Sequence, residues 1–254
     1  MARKNNKTIT QINQTIDVEN IAIKEPLNDI DVFLSFCRED IQSAVKELEK
    51  IKTEENRKHL QRLVYVNLIN RFDYLVDKLI LWFSINNFAL RDEILKSIEE
   101  EAISKKEVFE IFFMKERSYE IVTDKIKDLA RSNILRGRHS TKLLKILTKC
   151  LCWENIEKPR VGNDGKIFIK TKKNATQPNS ILGYADWLYS RRNSLVHGDG
   201  KNYTKNDHEH IEKIYRVKLP KNFRLQIASI KSAIHFYECL LEEMKESIVL
   251  SRNS

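Results

Sequence analysis

Glycine and proline are scarce, six and four in 254 residues, about a third of their usual combined share, which excludes a collagen-like chain. The four cysteines (Cys37, Cys150, Cys152, Cys239) are too few for a disulfide scaffold in a chain this long and fit a reducing compartment. No apolar run approaches the roughly 18 residues that a membrane span needs; the densest is Leu79-Ile80-Leu81-Trp82-Phe83. The first twenty residues lack the apolar core of a signal peptide. The expectation is a cytoplasmic protein with no membrane partner. A Walker sequence, a nucleophile elbow and a glycine-rich phosphate loop are also absent, which disfavours nucleotide hydrolysis as the main activity.

What is present is charge and helical periodicity. Charged residues make up 32% of the chain, hydrophobic residues 41%, and the formal net charge is +9. This is the composition of a helix-rich soluble protein, and the sign of the charge favours a polyanionic partner. Residues 1–27, rich in Asn, Lys and Thr, read as a mobile arm closed by Pro26, and 249–254 as a tail. From Asn28, a candidate N-cap, apolar residues recur in steps of three and four from Ile30 to Ile51. Leu60 to Phe83 continue the period over about thirty residues, with a stripe wide enough for a central helix. Shorter patterns cover about 91–102, 104–115, 118–135 and 140–151. Helix then resumes over about 180–196, and a last helix runs from about 221 to 248. The expected fold is one all-α domain over 28–248. A basic insert near 154–180 interrupts it, where Asn163-Asp164-Gly165 beside Ile167-Phe168-Ile169 suits a small hairpin or a flexible loop.

Charge is unevenly spread. Residues 158–205 hold ten basic and three acidic residues, whereas 91–120 hold nine acidic and six basic. The basic stretch flanks Arg191-Arg192-Asn193-Ser194-Leu195-Val196-His197-Gly198, at the end of an amphipathic helix. Cleavage of RNA without a metal needs a base for the 2′-hydroxyl, donors for the charged phosphorane and an acid for the leaving oxygen. A histidine titrating near neutrality and a permanent guanidinium suit those tasks. His197 and Arg192 are therefore the candidate catalytic pair. Asn193, four residues before His197, is placed to orient the imidazole or bind a phosphate oxygen. Arg191, Lys166, Lys170, Lys172, Lys173 and Lys201 are candidate phosphate contacts, and Tyr203 a candidate stacking platform for an unpaired base. On an ideal helix Arg192 and His197 lie about 140° apart. Either Gly198 ends the helix early, or two chains bring two copies together across a twofold axis; the second arrangement is favoured. The same residues also suit ordinary C-terminal capping and dipole chemistry.

An Arg followed directly by Asn and then by His, near a helix end in an all-helical chain, resembles the HEPN superfamily of ribonucleases, most closely its stand-alone RiboL-PSP-HEPN type. The resemblance spans roughly residues 28–248. It implies a helical bundle that homodimerises around a composite, metal-independent and cofactor-free endoribonuclease site, products ending in 2′,3′-cyclic phosphate, and a toxin–antitoxin or anti-phage role. An antitoxin or sensor protein would then be a partner alongside RNA. Arg192, Asn193 and His197 match the family motif, and Arg191 matches only its looser spacing. Family members controlled by adenylylation carry Tyr two positions after the His, where this chain has Asp199. The alternative is a catalytically inactive helical module that binds RNA or protein.

Other constellations are weaker. Cys150-Leu151-Cys152 has no second pair at zinc spacing and reads as buried or half-buried thiols. His208-Glu209-His210, with Asp207 and Asp199, reads as solvated polar residues. His139 reads as a packed or surface histidine, and Phe109, Phe112, Phe113 and Tyr119 as core.

Overall fold

A computed structural model describes residues 24–96, 118–198 and 202–250. Within them the chain is mostly helical, with two isolated β-bridges and no strand. The all-α expectation holds at that level. The expected helix at 104–115, the end of the one at 91–102, the phenylalanine cluster, Asp199, Lys201, most of the N-terminal arm and residues 251–254 lie outside the described residues.

Helix α1 begins at residue 24, passes through a π-helical turn at Cys37–Ile41 and continues as Gln42–Lys50. Pro26 therefore lies in its first turn, where a missing N–H costs no helical hydrogen bond, and not ahead of an Asn28 cap. Helix α2, Glu54–Asn86, has 33 residues. It buries Tyr65, Leu68, Ile69, Phe72, Val76, Leu79 and Ile80 to 3% exposure or less. Apolar contact round most of its girth makes it the central element, touching α1, α3 (Phe88–Lys96), α4 (Ser118–Asn133) and the helices at His139–Lys145, Ile181–His197 and Ile227–Leu250.

Helix α5 starts at His139–Lys145 and ends in a π-turn, Ile146–Cys150. Helix α6 is Ile181–His197, capped by the Ser180 hydroxyl, which accepts from the Gly183 N–H. Helix α8, Ile227–Leu250, supplies Phe236, Tyr237, Leu240, Leu241 and Met244 to the core. Tyr237 stacks on Phe72 at 4.0 Å between ring centroids, and both rings meet Phe33 of α1 at 5.9 and 5.6 Å.

One helix was absent from the sequence reading. Lys205–Tyr215 forms α7, capped by the Thr204 hydroxyl on the Asp207 N–H. It builds a second, smaller core of Tyr203, Ile211, Val217 and Leu219, closed by Trp187 and Phe223. Because Val217 and Leu219 serve that core and Asn222 bridges Asn202, the last helix starts at Ile227 and not near 221.

The insert forms a tight turn with a single bridge, Val161 to Ile167. Asp164 Oδ1 accepts from the Lys166 N–H, and Gly165 sits at φ 85°, a conformation glycine adopts freely. The turn docks on α8: Arg160 pairs with Glu243 at 3.0 Å, and His235 Nδ1 donates to the Asp164 carbonyl at 3.1 Å. At Gly165 a Cβ would stand 1.9 Å from the Ser232 carbonyl oxygen. Gly165→Ala should therefore cost about 1–3 kcal/mol of stability, read as a lowered midpoint in urea unfolding.

Candidate active site

Helix α6 runs unbroken to His197, and the Gly198 N–H still bonds the Ser194 carbonyl at 3.1 Å. The helix does not end between Arg192 and His197, so the two side chains leave it about 140° apart. The helix by itself keeps them on different faces. Asn193 and His197 share a face one turn apart, and His197 is exposed.

Arg192 is half-buried. Its Nε donates to Asn70 Oδ1 of α2 at 2.6 Å, its Nη1 donates to Asn193 Oδ1 at 3.0 Å, and the guanidinium lies 5.4 Å over the Tyr189 ring. Two neutral acceptors orient it without neutralising its charge, which leaves the charge available to an anion. Asn193 Nδ2 in turn donates to Asp207 Oδ2 at 3.4 Å.

That last contact leads into a buried polar network which sequence reasoning missed. Asp186 has no exposure and Asp207 has 5%. Arg138 ties them together, with Nη2 on Asp186 Oδ1 at 2.9 Å and Nη1 on Asp207 Oδ1 at 3.1 Å. His210 Nε2 donates to Asp186 Oδ2 at 2.9 Å, Tyr215 donates to the same oxygen at 3.1 Å, and Thr204 donates to Asp207 Oδ2 at 2.7 Å. Asp207 and His210 are thus network members and not solvated side chains. An aspartate inside a helix whose N-cap is Thr204 was the available signal, since such a carboxylate suits the N-terminal turn.

Beside Arg138, His139 faces the other way. It is 1% exposed, its Nδ1 donates to Asp73 of α2 at 3.2 Å, and its ring stacks on Tyr189 at 5.5 Å. Buried Lys142 bonds Asp73 at 2.8 Å and Asp77 at 2.6 Å. Burial alone would raise the Asp73 carboxyl, but the hydrogen bonds and positive charge of His139 and Lys142 outweigh it and hold it at about 2. Asp77 goes the other way: burial raises it, Lys142 only partly opposes that, and the Asp73 charge adds to the rise.

The candidate substrate contacts divide. Arg191 is 5% exposed, with its guanidinium packed on the rings of Trp187 at 4.8 Å, Phe223 at 5.0 Å and Tyr65 at 5.6 Å, and with Nη2 on Ser229. It joins the two cores and is not offered to a ligand. Tyr203 is 7% exposed, accepts from Trp187 Nε1 at 2.8 Å and packs on Phe223, so its ring is structural. The expectation of an exposed stacking platform at that position is corrected by the second core. Lys166, Lys170, Lys172 and Lys173 are exposed. The Lys172 carbonyl is held by Asn179, at the opposite end of α6 from His197, across about 25 Å of helix. Lys172 therefore lies away from the Arg192 pair, whereas the turn that carries Lys166 docks at Ser232 of α8, one turn from the Ser229 that bonds Arg191. Among the described residues no three His, Cys, Asp or Glu side chains gather to hold a metal ion, and no helix is long and apolar enough to cross a membrane.

No protein-family model, no curated protein and no solved structure matches this chain.

Two stability measurements test the network. Asp186→Ala leaves His210 and Tyr215 without their acceptor and Arg138 with Asp207 alone, and should lower unfolding free energy by about 1–3 kcal/mol in urea titration. Acid should act through Asp73. Its folded value lies below the ordinary 3.8, so the stability it gives is present above about pH 4 and is lost as pH falls toward 2. Asp73→Asn should flatten that acid limb in thermal melts, even though Asp77, shifted upward, offsets part of the loss in the parent protein.

Proposed function

We propose that the chain is a HEPN-like, metal-independent endoribonuclease that cleaves RNA by 2′-hydroxyl transesterification. His197 moves the proton, as general base or acid, and Arg192 stabilises the phosphorane. Asn193 and Asn70 position the guanidinium. The observation that carries this reading is the state of Arg192. It is the guanidinium at the α6 end that is fixed by neutral amides, while Arg191 and Arg138 are taken up by the aromatic cage and the buried carboxylates.

The unbroken helix favours a composite site. If His197 and Arg192 act on one phosphate, the second group comes from a twin protomer, with His197 of one chain facing Arg192 of the other. Such an enzyme needs no cofactor. The resemblance further assigns it a toxin or anti-phage role in the cytoplasm, with an antitoxin or sensor protein holding it in check.

A second reading has an observation of its own. Asn193 and Arg192 are bonded to each other and, through Asp207, to the interior, as residues of a purely structural helix end would be. Under it the chain is an inactive helical module that binds RNA or protein.

The two readings part on one assay. Under the first, the purified protein cleaves a defined single-stranded RNA in EDTA, and His197→Ala and Arg192→Ala each slow cleavage by about 10²- to 10⁴-fold. His197 is exposed, so its variant should melt with the parent. Undiminished cleavage by both variants, or a mass that stays at the 30.0 kDa of one chain at every concentration, would remove the composite site.

A further inference from the structure

Of the eight tyrosines, six are buried or half-buried, and two stand out into solvent: Tyr74 at 65% and Tyr119 at 73% exposure. Both line clefts on the same side of α2. The first cleft, about 380 Å³, is walled by Asn70, Arg71, Tyr74 and Lys78 of α2 and by Asp29 and Val32 of α1. The second, about 590 Å³, is walled by Lys78, Trp82 and Asn86 of α2, by Asp29 again, and by Tyr119 and Lys127 of α4. The two clefts meet at Asp29 and Lys78, whose ion pair lies at the junction, and together they form a groove along α2.

The groove has a direction. At one end stands Asn70, whose Oδ1 accepts the Arg192 Nε–H, so it opens beside the candidate site. From there Arg71, Tyr74, Lys78 and Trp82 follow at steps of three and four along one face of α2. Asn70 to Asn86 covers about 24 Å of helix. Cations and rings alternate along it: Arg71, then Tyr74 with the Lys78 ammonium 5.3 Å over its ring, then Trp82, and finally Tyr119 and Lys127. Of the two carboxylates on its walls, Asp29 is paired with Lys78 at 2.7 Å, and Glu25 is the other. Exposed rings for stacking, interleaved with cations for a phosphate backbone, are the two requirements of sequence-tolerant single-strand binding.

We propose that this groove along α2 is a track for single-stranded RNA, with Tyr74 and Tyr119 stacking on bases and Arg71 and Lys127 contacting phosphates. It rests on the nuclease reading for its direction, because a strand lying in it is led to Arg192.

A 2′-O-methyl decaribonucleotide lacks the attacking hydroxyl and so reports binding whether or not the protein is a nuclease. Fluorescence anisotropy with this probe should show binding by the full chain. Tyr74→Ala and Tyr119→Ala should each weaken it about tenfold, while Tyr74→Phe stays within about twofold. Arg71→Gln should lower the slope of log affinity against log salt by about 0.7, the value for one phosphate contact on a single strand. Both alanine variants at the tyrosines binding like the parent, or a decamer that does not bind at all, would overturn the track. So would a dimer that falls to monomer on Tyr74→Ala, since the groove would then be covered by a second copy. Binding as described with no cleavage of an ordinary RNA would sink the nuclease reading and leave the track standing.

Discussion

Two carboxylates almost without access to water, Asp186 and Asp207, require a positive partner inside the protein, and Arg138 supplies it to both. Removing a charge from water is costly unless its remaining lone pairs are also satisfied. His210, Tyr215 and Thr204 complete that satisfaction. The groups come from the start of α5, the middle of α6 and both ends of α7, so these elements have one arrangement in which every lone pair is used. Such a network specifies geometry more than it adds stability. The position of Asn193, and through it of Arg192, follows from where Asp207 has to lie.

The first turn of α5 extends the same constraint to the central helix. Arg138 and His139 are adjacent in sequence, and an extended backbone at Arg138 followed by helix turns them to different neighbours. Arg138 reaches α6 and α7, and His139 reaches Asp73 on α2, which also accepts from Lys142. Asn70, which orients Arg192, stands just before Asp73 on α2. Both acceptors that hold the candidate guanidinium are therefore mounted on elements tied through α5, which is the rigidity that a site stabilising developing charge needs.

The apolar residues made α1, α2, α4, α5, α6 and α8 legible within a few residues, because each buries a stripe whose period is set by the helix itself. Helix α7 was not legible. Lys205–Tyr215 carries few apolar residues, and much of what it buries is Asp207, whose fate depends on an arginine 69 positions earlier. Tyr203 looked like a loop residue free to stack, and its burial follows from Trp187 and Phe223, which the sequence gives no reason to bring to it. The Arg192-Asn193 pair was legible as a motif at a helix end. Its partner Asn70, 122 residues away, was not. The insert's basic charge is legible as composition, but its location is not: the Lys172 end is anchored at the start of α6 by Asn179, and the Lys166 turn at Ser232 of α8.

Helical class, the course of most helices and the placing of Arg192, Asn193 and His197 along the last turns of α6 were determined by the sequence alone. These depend on side-chain period and capping over a few residues, and such interactions are complete within the segment that encodes them. Which polar groups leave water, which arginine is caged by rings and which is bonded only to amides, and where rings and cations line up into a groove were decided by the tertiary structure. A polar side chain balances hydration against a partner. When that partner is 48 to 122 residues distant, no local pattern can reveal whether the exchange takes place.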